Sequence, residues 1–433
     1  MLTQETNTIS TNIRNNSHKK DKNRNLFLLI SVMILGILFG FALNLLPDNV
    51  VTFINDNILY VVRGIFYNTL KLLLAPIVFV SITSSLANMT NLSSLGRITT
   101  KMIVIMCITT AVAVLMGIGI GCLFNNTIIH HMDISFANVD VVEQEKMTLQ
   151  SFLMDFFPTN IVTPISSSNM IQILVISIFF GITLGQIRDK APKIISLLNE
   201  LNELINRMLY ILMKMLPLVI FCSMAWIVCS YGGEIVTIIA KILLLSPIMM
   251  VLMLCVYAIM LSCVAHVSPL PFLRRFFEVS IVPFSLCSSA ASLPNTINVC
   301  NKLGVSKRVS SLTLPLGCTM NMDGSAFSLA AISLCMLNVY GIEMTTSQVI
   351  TVGLLAFIFS IATPSIPNAE IAIMSSLLAT IGAPLELLGL FLGINPISEL
   401  FDSAINVTSD AAIATTISST EGLLDKETYY SRK

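Results

Sequence analysis

Residues 285–325 read S-L-C-S-S-A-A-S-L-P-N-T (285–296), I-N-V-C-N-K-L-G-V-S-K-R-V-S-S-L-T (297–313) and L-P-L-G-C-T-M-N-M-D-G-S (314–325). Two features of this stretch are normally kept out of a bilayer-spanning segment. One is a Ser/Ala cluster ending at Pro294, with no bulky apolar run through it. The other is a carboxylate, Asp323, followed by Gly324, in a segment otherwise apolar enough to span. A charge at that depth costs at least a few kcal/mol, so it faces a cavity, a partner or an ion rather than lipid. Irregular backbone at that depth survives only where protein or a polar cavity surrounds it.

The rest of the composition agrees with a membrane chain. Of 433 residues, 55% are apolar and only 11% charged, with a mean hydropathy of +0.85. That excludes an ordinary soluble globular protein, and the formal net charge of zero argues against a nucleic-acid partner. The ten cysteines lie mostly in apolar runs without CxxC spacing and read as small packing residues. His130 and His131 are adjacent in an expected loop, which is not the spacing of a helical metal clamp.

Residues 1–25 are polar and basic (Arg14, Lys19, Lys20, Lys22, Arg24), and an apolar run follows at Leu26–Leu46. The run is too long for a signal-peptide core, so a retained first helix with a cytoplasmic N-terminus is expected. Further spans are expected near Ile58–Leu86, Lys101–Phe124, Thr159–Ile187, Leu204–Tyr231 and Ile235–His266. The intervening loop 125–158 carries Asp133, Asp140, Glu143, Glu145 and Asp155 against Lys146, which suits the outside. Arg188, Lys190 and Lys193 suit the inside.

After Lys302, Lys307 and Arg308, no Lys or Arg occurs until Lys426. Within that interval Glu343 and Glu386 fall in expected loops. Asp323, Glu370, Glu399, Asp402 and Asp410 lie in or beside apolar segments. Buried carboxylates require a counter-charge or a proton. The best candidates are a metal ion and an ammonium group supplied from solution.

A repeat points the same way. The Ser/Ala segment at Cys287–Ser292 with Pro294, then a span ending near Tyr340, forms one unit. The segment A-T-P-S-I-P at 362–367, then a span at Leu387–Ile417, forms a second. Paired interrupted segments in corresponding places mark the binding site of a secondary transporter. In the last span, Glu399, Asp402, Asn406 and Asp410 share a stripe roughly 80° wide at 3.6 residues per turn, with Ile405, Val407 and Ala411 off it.

This combination resembles the dicarboxylate/amino acid:cation symporter family over about residues 26–418. The match is loose in the first half, through L-K-L-L-L-A-P-I-V-F at 70–79 and P-T-N at 158–160. It is specific in the second. There Ser288, Ser289, Ser292 and Pro294 match the serine-rich tip, Asn321, Met322, Asp323 and Gly324 match N-M-D-G, and Asn406, Val407, Thr408 and Asp410 match N-V-T-x-D.

The resemblance implies an all-α polytopic membrane protein of eight transmembrane helices and two re-entrant helical hairpins, with inverted repeats and an elevator mechanism. Its divisions would be a cytoplasmic tail (1–25), scaffold helices one and two (26–100) and transport-domain helix three (101–124). An extracytoplasmic loop (125–158), scaffold helices four and five (159–232), the rest of the transport domain (233–418) and a cytoplasmic tail (419–433) would follow. A homotrimer in the cell membrane is implied, carrying an amino acid with sodium ions as the co-transported cation.

It also implies roles for residues. One sodium would be held by carbonyls near Gly317, Asn321 and Asn406 with the Asp410 carboxylate. Another would be held by Asn321 and Asp323 with Thr109 and Thr110, and a third between Ser360 to Thr363 and Thr319. Oxygen ligands suit such a hard cation. Substrate would meet Ser288, Ser289, Ser325, Ser365, Glu399, Asp402, Ser403 and Asn406, the hairpin N–H groups favouring its carboxylate.

Four positions depart from the family pattern. Asp402 stands where acidic-substrate members carry an arginine, Ser365 and Glu370 stand where glycines are usual, and Asn395 replaces a common acid. A negative charge at position 402 should repel glutamate and aspartate. A neutral (serine- or threonine-like) or a basic amino acid is therefore expected. Proton coupling or a dicarboxylate substrate within the same family is the alternative, and an ion channel a more distant one. An intramembrane enzyme is disfavoured, because the only histidine near Ser288 and Ser289 in sequence is His266, at an expected helix end.

Overall fold

The computed structural model describes residues 28–89, 96–127, 157–166, 170–340, 342, 344–384 and 386–431. The basic tail 1–25, the histidine pair, Glu343 and the acids and lysine expected between 133 and 155 lie outside the described residues. The main helices of the first half are α1 (Leu28–Leu43), α2 (Tyr60–Met89), α3 (Gly96–Thr127), α4 (Met170–Gln186), α5 (Pro192–Met213), α6 (Leu216–Tyr231), α7 (Glu234–Leu243) and α8 (Leu245–Cys263). Those of the second half are α9 (Phe276–Leu286), α10 (Ser289–Lys302), α11 (Lys307–Met320), α12 (Asp323–Val339), α13 (Thr346–Ala362), α14 (Ala369–Thr380), α15 (Leu387–Thr420) and α16 (Lys426–Tyr430). No strand occurs among the described residues.

By length and composition, five of the described helical stretches can cross a membrane, or six if the bent pair α5–α6 counts as one span. Leu35, Leu38, Leu72, Phe179, Val251, Ile259 and Phe277 are exposed on the outer faces of α1, α2, α4, α8 and α9. In water each would forfeit about 1.5–3 kcal/mol of burial, so these faces belong against lipid. The chain is a multi-pass membrane protein.

One span expected to be continuous is sharply bent, and a proline sits at the bend. The run near Leu204–Tyr231 bends by 51° between α5 and α6, where Pro217 sits in the first turn of α6. The expected span Ile235–His266 runs as one, Glu234–Cys263, with a single turn residue at Leu244 shortly before Pro247. A proline withholds the N–H that would continue the ladder. Within the fourth expected span, Thr159–Ile187, the described residues form a helix Val162–Ser166 and α4.

Helix α2 packs on α4 and α5. Ser81 and Ser84 donate to the side-chain oxygens of Asn202 (3.0 Å) and Asn199 (2.7 Å), which ties the amphipathic α5 to α2. The second half is built around α15, which α9, α10, α11, α12 and α14 surround together with α3, α6 and α8. Ile405, Val407 and Ala411 are accordingly as buried as the acidic stripe. The stripe does not separate a wet face from a lipid face. Helix α3 lies against α12 so closely that a Cβ at Gly117 would stand 2.7 Å from the carbonyl oxygen of Phe327.

Candidate ion and substrate site

Two hairpins and one unwound segment meet at the middle of α15. The first hairpin turns at Cys287, whose φ of 47° is left-handed, and Ser288 then caps α10 by accepting from the Ala291 N–H at 3.3 Å. The tip is therefore narrower than the Ser/Ala cluster, since Ser292 and Pro294 lie inside α10. The second hairpin turns between Thr363 and Asn368, the latter with φ 63°. Ser288 Oγ donates to the Ser365 carbonyl at 2.7 Å, and Ser365 Oγ donates to the Cys318 carbonyl. Both tips thus close on each other and on the end of α11.

The unwound segment is N-M of the N-M-D-G motif. Helix α11 ends at Met320, Asn321 and Met322 take non-helical dihedrals, and α12 begins at Asp323. Asn321 and Asp323 are fully buried there. Asp323 Oδ1 accepts from Thr110 (2.8 Å) and Thr109 (3.3 Å), and Oδ2 from Ser409 (2.6 Å) and Tyr257 (3.0 Å). Four hydroxyls satisfy this carboxylate, and among the described residues no basic side chain pairs with it.

Asn321 Nδ2 donates to Asp410 Oδ1 (3.0 Å) and to Ser409 Oγ (2.9 Å). Its Oδ1 is buried without a donor. An orphaned amide oxygen beside two carboxylates is a donor set suited to a small hard cation. Gly317 is required here, because a Cβ would lie 2.7 Å from Asp410 Cγ. Asn406 Oδ1 accepts from the Gly324 N–H at 2.8 Å, and its Nδ2 donates to Ser325 Oγ at 3.3 Å. The side chain of Asn406 therefore holds the first turn of α12.

Glu399, Asp402 and Glu370 are buried close by. Glu399 accepts from the Asn368 N–H at the second hairpin tip. Asp402 Oδ1 accepts from Ser328 Oγ at 2.6 Å, and Glu370 Oε1 from Ser325 Oγ. Asp402 and Glu370 approach each other within hydrogen-bonding reach, and one oxygen of each, Oδ2 and Oε2, has no donor. Two unit charges at 4 Å repel by roughly 4 kcal/mol at an effective dielectric of 20. Among the described residues no ion pair reaches Asp323, Asp402, Asp410 or Glu370; the pairs join Glu278 to Arg275 and Lys302, and Glu421 to Arg97 and Lys101.

The remaining expected site residues stand apart. Thr319 is exposed and donates to Leu316 O at 2.9 Å. Ser360 and Thr363 are buried and donate to Phe357 O and Phe359 O. These three are bonded within their own helices and not to one another. Ser289 and Ser403 are buried near the cluster's two helices, at the start of α10 and within α15. Tyr257, Ser409, Ser328 and Asn368 were not anticipated. Ser409 is the unassigned position of N-V-T-x-D and Ser328 lies one turn beyond Ser325, whereas Tyr257 has no local signal in its apolar helix.

A cavity of about 1040 Å³ lies above this cluster, lined by Arg207 and Tyr210 of α5, by Cys287 and Asn368 at the two tips, and by Glu399. Buried acids, an unwound helix and two opposed tips beneath a cavity are the arrangement of a solute carrier. A family model described as the sodium:dicarboxylate symporter family matches residues 26–420. The chain belongs to that family. Among curated relatives, the proton/glutamate-aspartate symporter of Escherichia coli K12 is 25% identical over 92% of this chain and 93% of its own. The proton/sodium-glutamate symport protein of Bacillus subtilis 168 is 24% identical over 84% of this chain and 86% of its own. The C4-dicarboxylate transport protein of Xanthomonas campestris pv. campestris B100 is 24% identical over 84% and 82%. Transport by cation-coupled symport follows at the family level.

Proposed function

We propose that this symporter couples sodium entry to uptake of an amino acid whose side chain is neutral or cationic rather than acidic. The observation that carries the reading is Asp402, buried against Glu370 with no ion pair to it among the described residues. Relatives named for glutamate, aspartate or C4-dicarboxylates take anionic substrates, and an anion opposite two acids would be repelled by several kcal/mol. The substrate ammonium meets Glu399, and its carboxylate meets Asn406 and the N–H groups at Ser289. Ser288, Ser325, Ser365 and Ser403 complete the shell.

Sodium takes the places of the missing counter-charges. One ion uses Asp410 with Gly317, Asn321 and Asn406; another uses Asp323 and Asn321 with Thr109 and Thr110. Support for these roles is the orphaned Asn321 Oδ1 between the two acids. The third position, at Ser360, Thr363 and Thr319, requires the second hairpin to shift so that those oxygens converge. Ions order the segment that the substrate needs, so each raises the other's affinity. Protons in place of sodium are the second reading, favoured by the names of the relatives from E. coli and B. subtilis.

The wider architecture proposed is eight transmembrane helices and two re-entrant hairpins in the cell membrane, N-terminus inside. Residues 101–124 and 233–418 move as an elevator against a trimeric scaffold of 26–100 and 159–232. Uptake of radiolabelled serine and lysine into proteoliposomes tests the coupling. Accumulation should follow an inward sodium gradient, and uptake indifferent to both sodium and proton gradients overturns symport.

A further inference from the structure

Glu370 and Asp402 come from different elements, the first turn of α14 in the second hairpin and the middle of α15. Both are more than nine-tenths buried. Each uses one carboxyl oxygen on a serine hydroxyl, Ser325 for Glu370 and Ser328 for Asp402. The remaining oxygen of each has no donor, and the two carboxyl groups lie close enough to interact directly. Glu399, three residues before Asp402 on α15, adds a third negative charge and borders the cavity between the hairpin tips and α5. An acid pair that served only packing would have its oxygens satisfied by protein donors. This pair has donors for one oxygen of each acid and lacks them for the other, and its neighbours Asn368 and Glu399 line the cavity.

We propose that Glu370 and Asp402 form one subsite for the cationic side-chain end of the substrate, so that the amino acid carried is a basic one of the lysine, ornithine or arginine class. This rests on the symport reading given above. An alkylammonium or guanidinium between Glu370 Oε2 and Asp402 Oδ2 offers an N–H donor to each and removes their mutual repulsion. Ser325 and Ser328 continue to hold the outer oxygens. Seating the cation requires Glu370 to draw back from Asp402, and Glu370 is on the hairpin whose tip already contacts Glu399 through Asn368. The α-ammonium is then left for Glu399 and the side-chain cation for the pair. A neutral hydroxy amino acid gives the pair one donor at most and leaves one charge uncompensated.

The test is competition by the amino acids against radiolabelled lysine in sodium, on the purified full-length chain in proteoliposomes. Lysine, ornithine or arginine should displace the label at least tenfold more tightly than serine, threonine or glutamate. Glu370→Gln and Asp402→Asn should each reduce that preference tenfold or more, while sodium-dependent thermal stabilisation, read on the same samples, reports that the variants are folded. Sodium-driven serine uptake that lysine does not compete with overturns the subsite and leaves symport standing. Uptake of none of these amino acids with sodium or protons overturns both. Lysine preference unchanged in both folded variants also overturns the subsite, because the pair then merely shares a proton.

Discussion

Tyr257 on α8 donates its hydroxyl to Asp323 Oδ2 at 3.0 Å, although every other buried residue of α8 except Ser246 is apolar. That bond ties α8 to the first residue of α12 and is one of four that satisfy the carboxylate. A hydrogen bond to a charged group contributes about 1.5–3 kcal/mol. Tyr257→Phe should destabilise the protein by that order and weaken sodium dependence, without changing which amino acid is preferred. Thermal unfolding in detergent with a sodium titration of uptake checks it; an unchanged melting point and sodium curve would refute the assignment.

Two glycines admit α15 to the site. A Cβ at Gly324 would stand 2.5 Å from the backbone carbonyl of Asp402, and one at Gly317 would meet the Asp410 carboxylate. Gly324→Ala presses on backbone and should cost about 1–3 kcal/mol, as overpacking does. Gly317→Ala presses on a side chain that can turn away, so it should spare the fold and raise the sodium concentration needed for uptake. Comparing unfolding with sodium-dependent uptake in the two variants separates these outcomes.

The fold was legible where the sequence breaks its own pattern. N-M-D-G marks a real interruption because Asn321 and Met322 leave helical geometry, and the Ser/Ala run marks a tip because Ser288 caps α10. The bend at Pro217 was present in the sequence as a proline, yet the apolar run around it is long enough to read as a single straight span. The acidic stripe of α15 was visible as periodicity. That its reverse side is buried too was not, because Ile405, Val407 and Ala411 suit lipid and protein equally well. The pairing of Glu370 with Asp402 joins residues far apart in sequence and needs the hairpin's placement. Tyr257 was beyond reach for the same reason: one tyrosine in an apolar helix carries no sign of what it faces.

Asp402→Arg places a guanidinium against Glu370, where the two neutralise each other. The single variant should lose its preference for non-acidic substrates, and Asp402→Arg with Glu370→Gly should gain uptake of glutamate or aspartate. Substrate competition measured on both shows whether Glu370 masks the new cation. Equal profiles for the two variants would place Glu370 outside the substrate site.

At the far end of α15, hydrogen bonds from Lys101 and the nearby charge of Arg97 hold the Glu421 carboxyl below its usual range. The depressed folded value means that its contribution is complete above the unfolded value near 4.3 and is lost as pH falls through the lowered one. Arg97 is largely exposed, so the contribution is about 1 kcal/mol or less. Glu421→Gln should lower the melting point at neutral pH, and the gap from the unmodified protein should close on acidification. A gap that widens toward acid would reverse the sign of the argument.

The account turns on buried acids whose counter-charges arrive with the transported solutes. Its most direct test is the melting temperature of the purified chain as sodium replaces choline at constant ionic strength. A cation bound only by the folded state adds RT ln(1 + [Na⁺]/Kd), about 2.7 kcal/mol at a hundredfold excess over Kd. The melting temperature should therefore climb with sodium in the unmodified chain, and the rise should shrink in Asp410→Asn and Asp323→Asn. A melting temperature identical in sodium and choline, unchanged by either substitution, would contradict it.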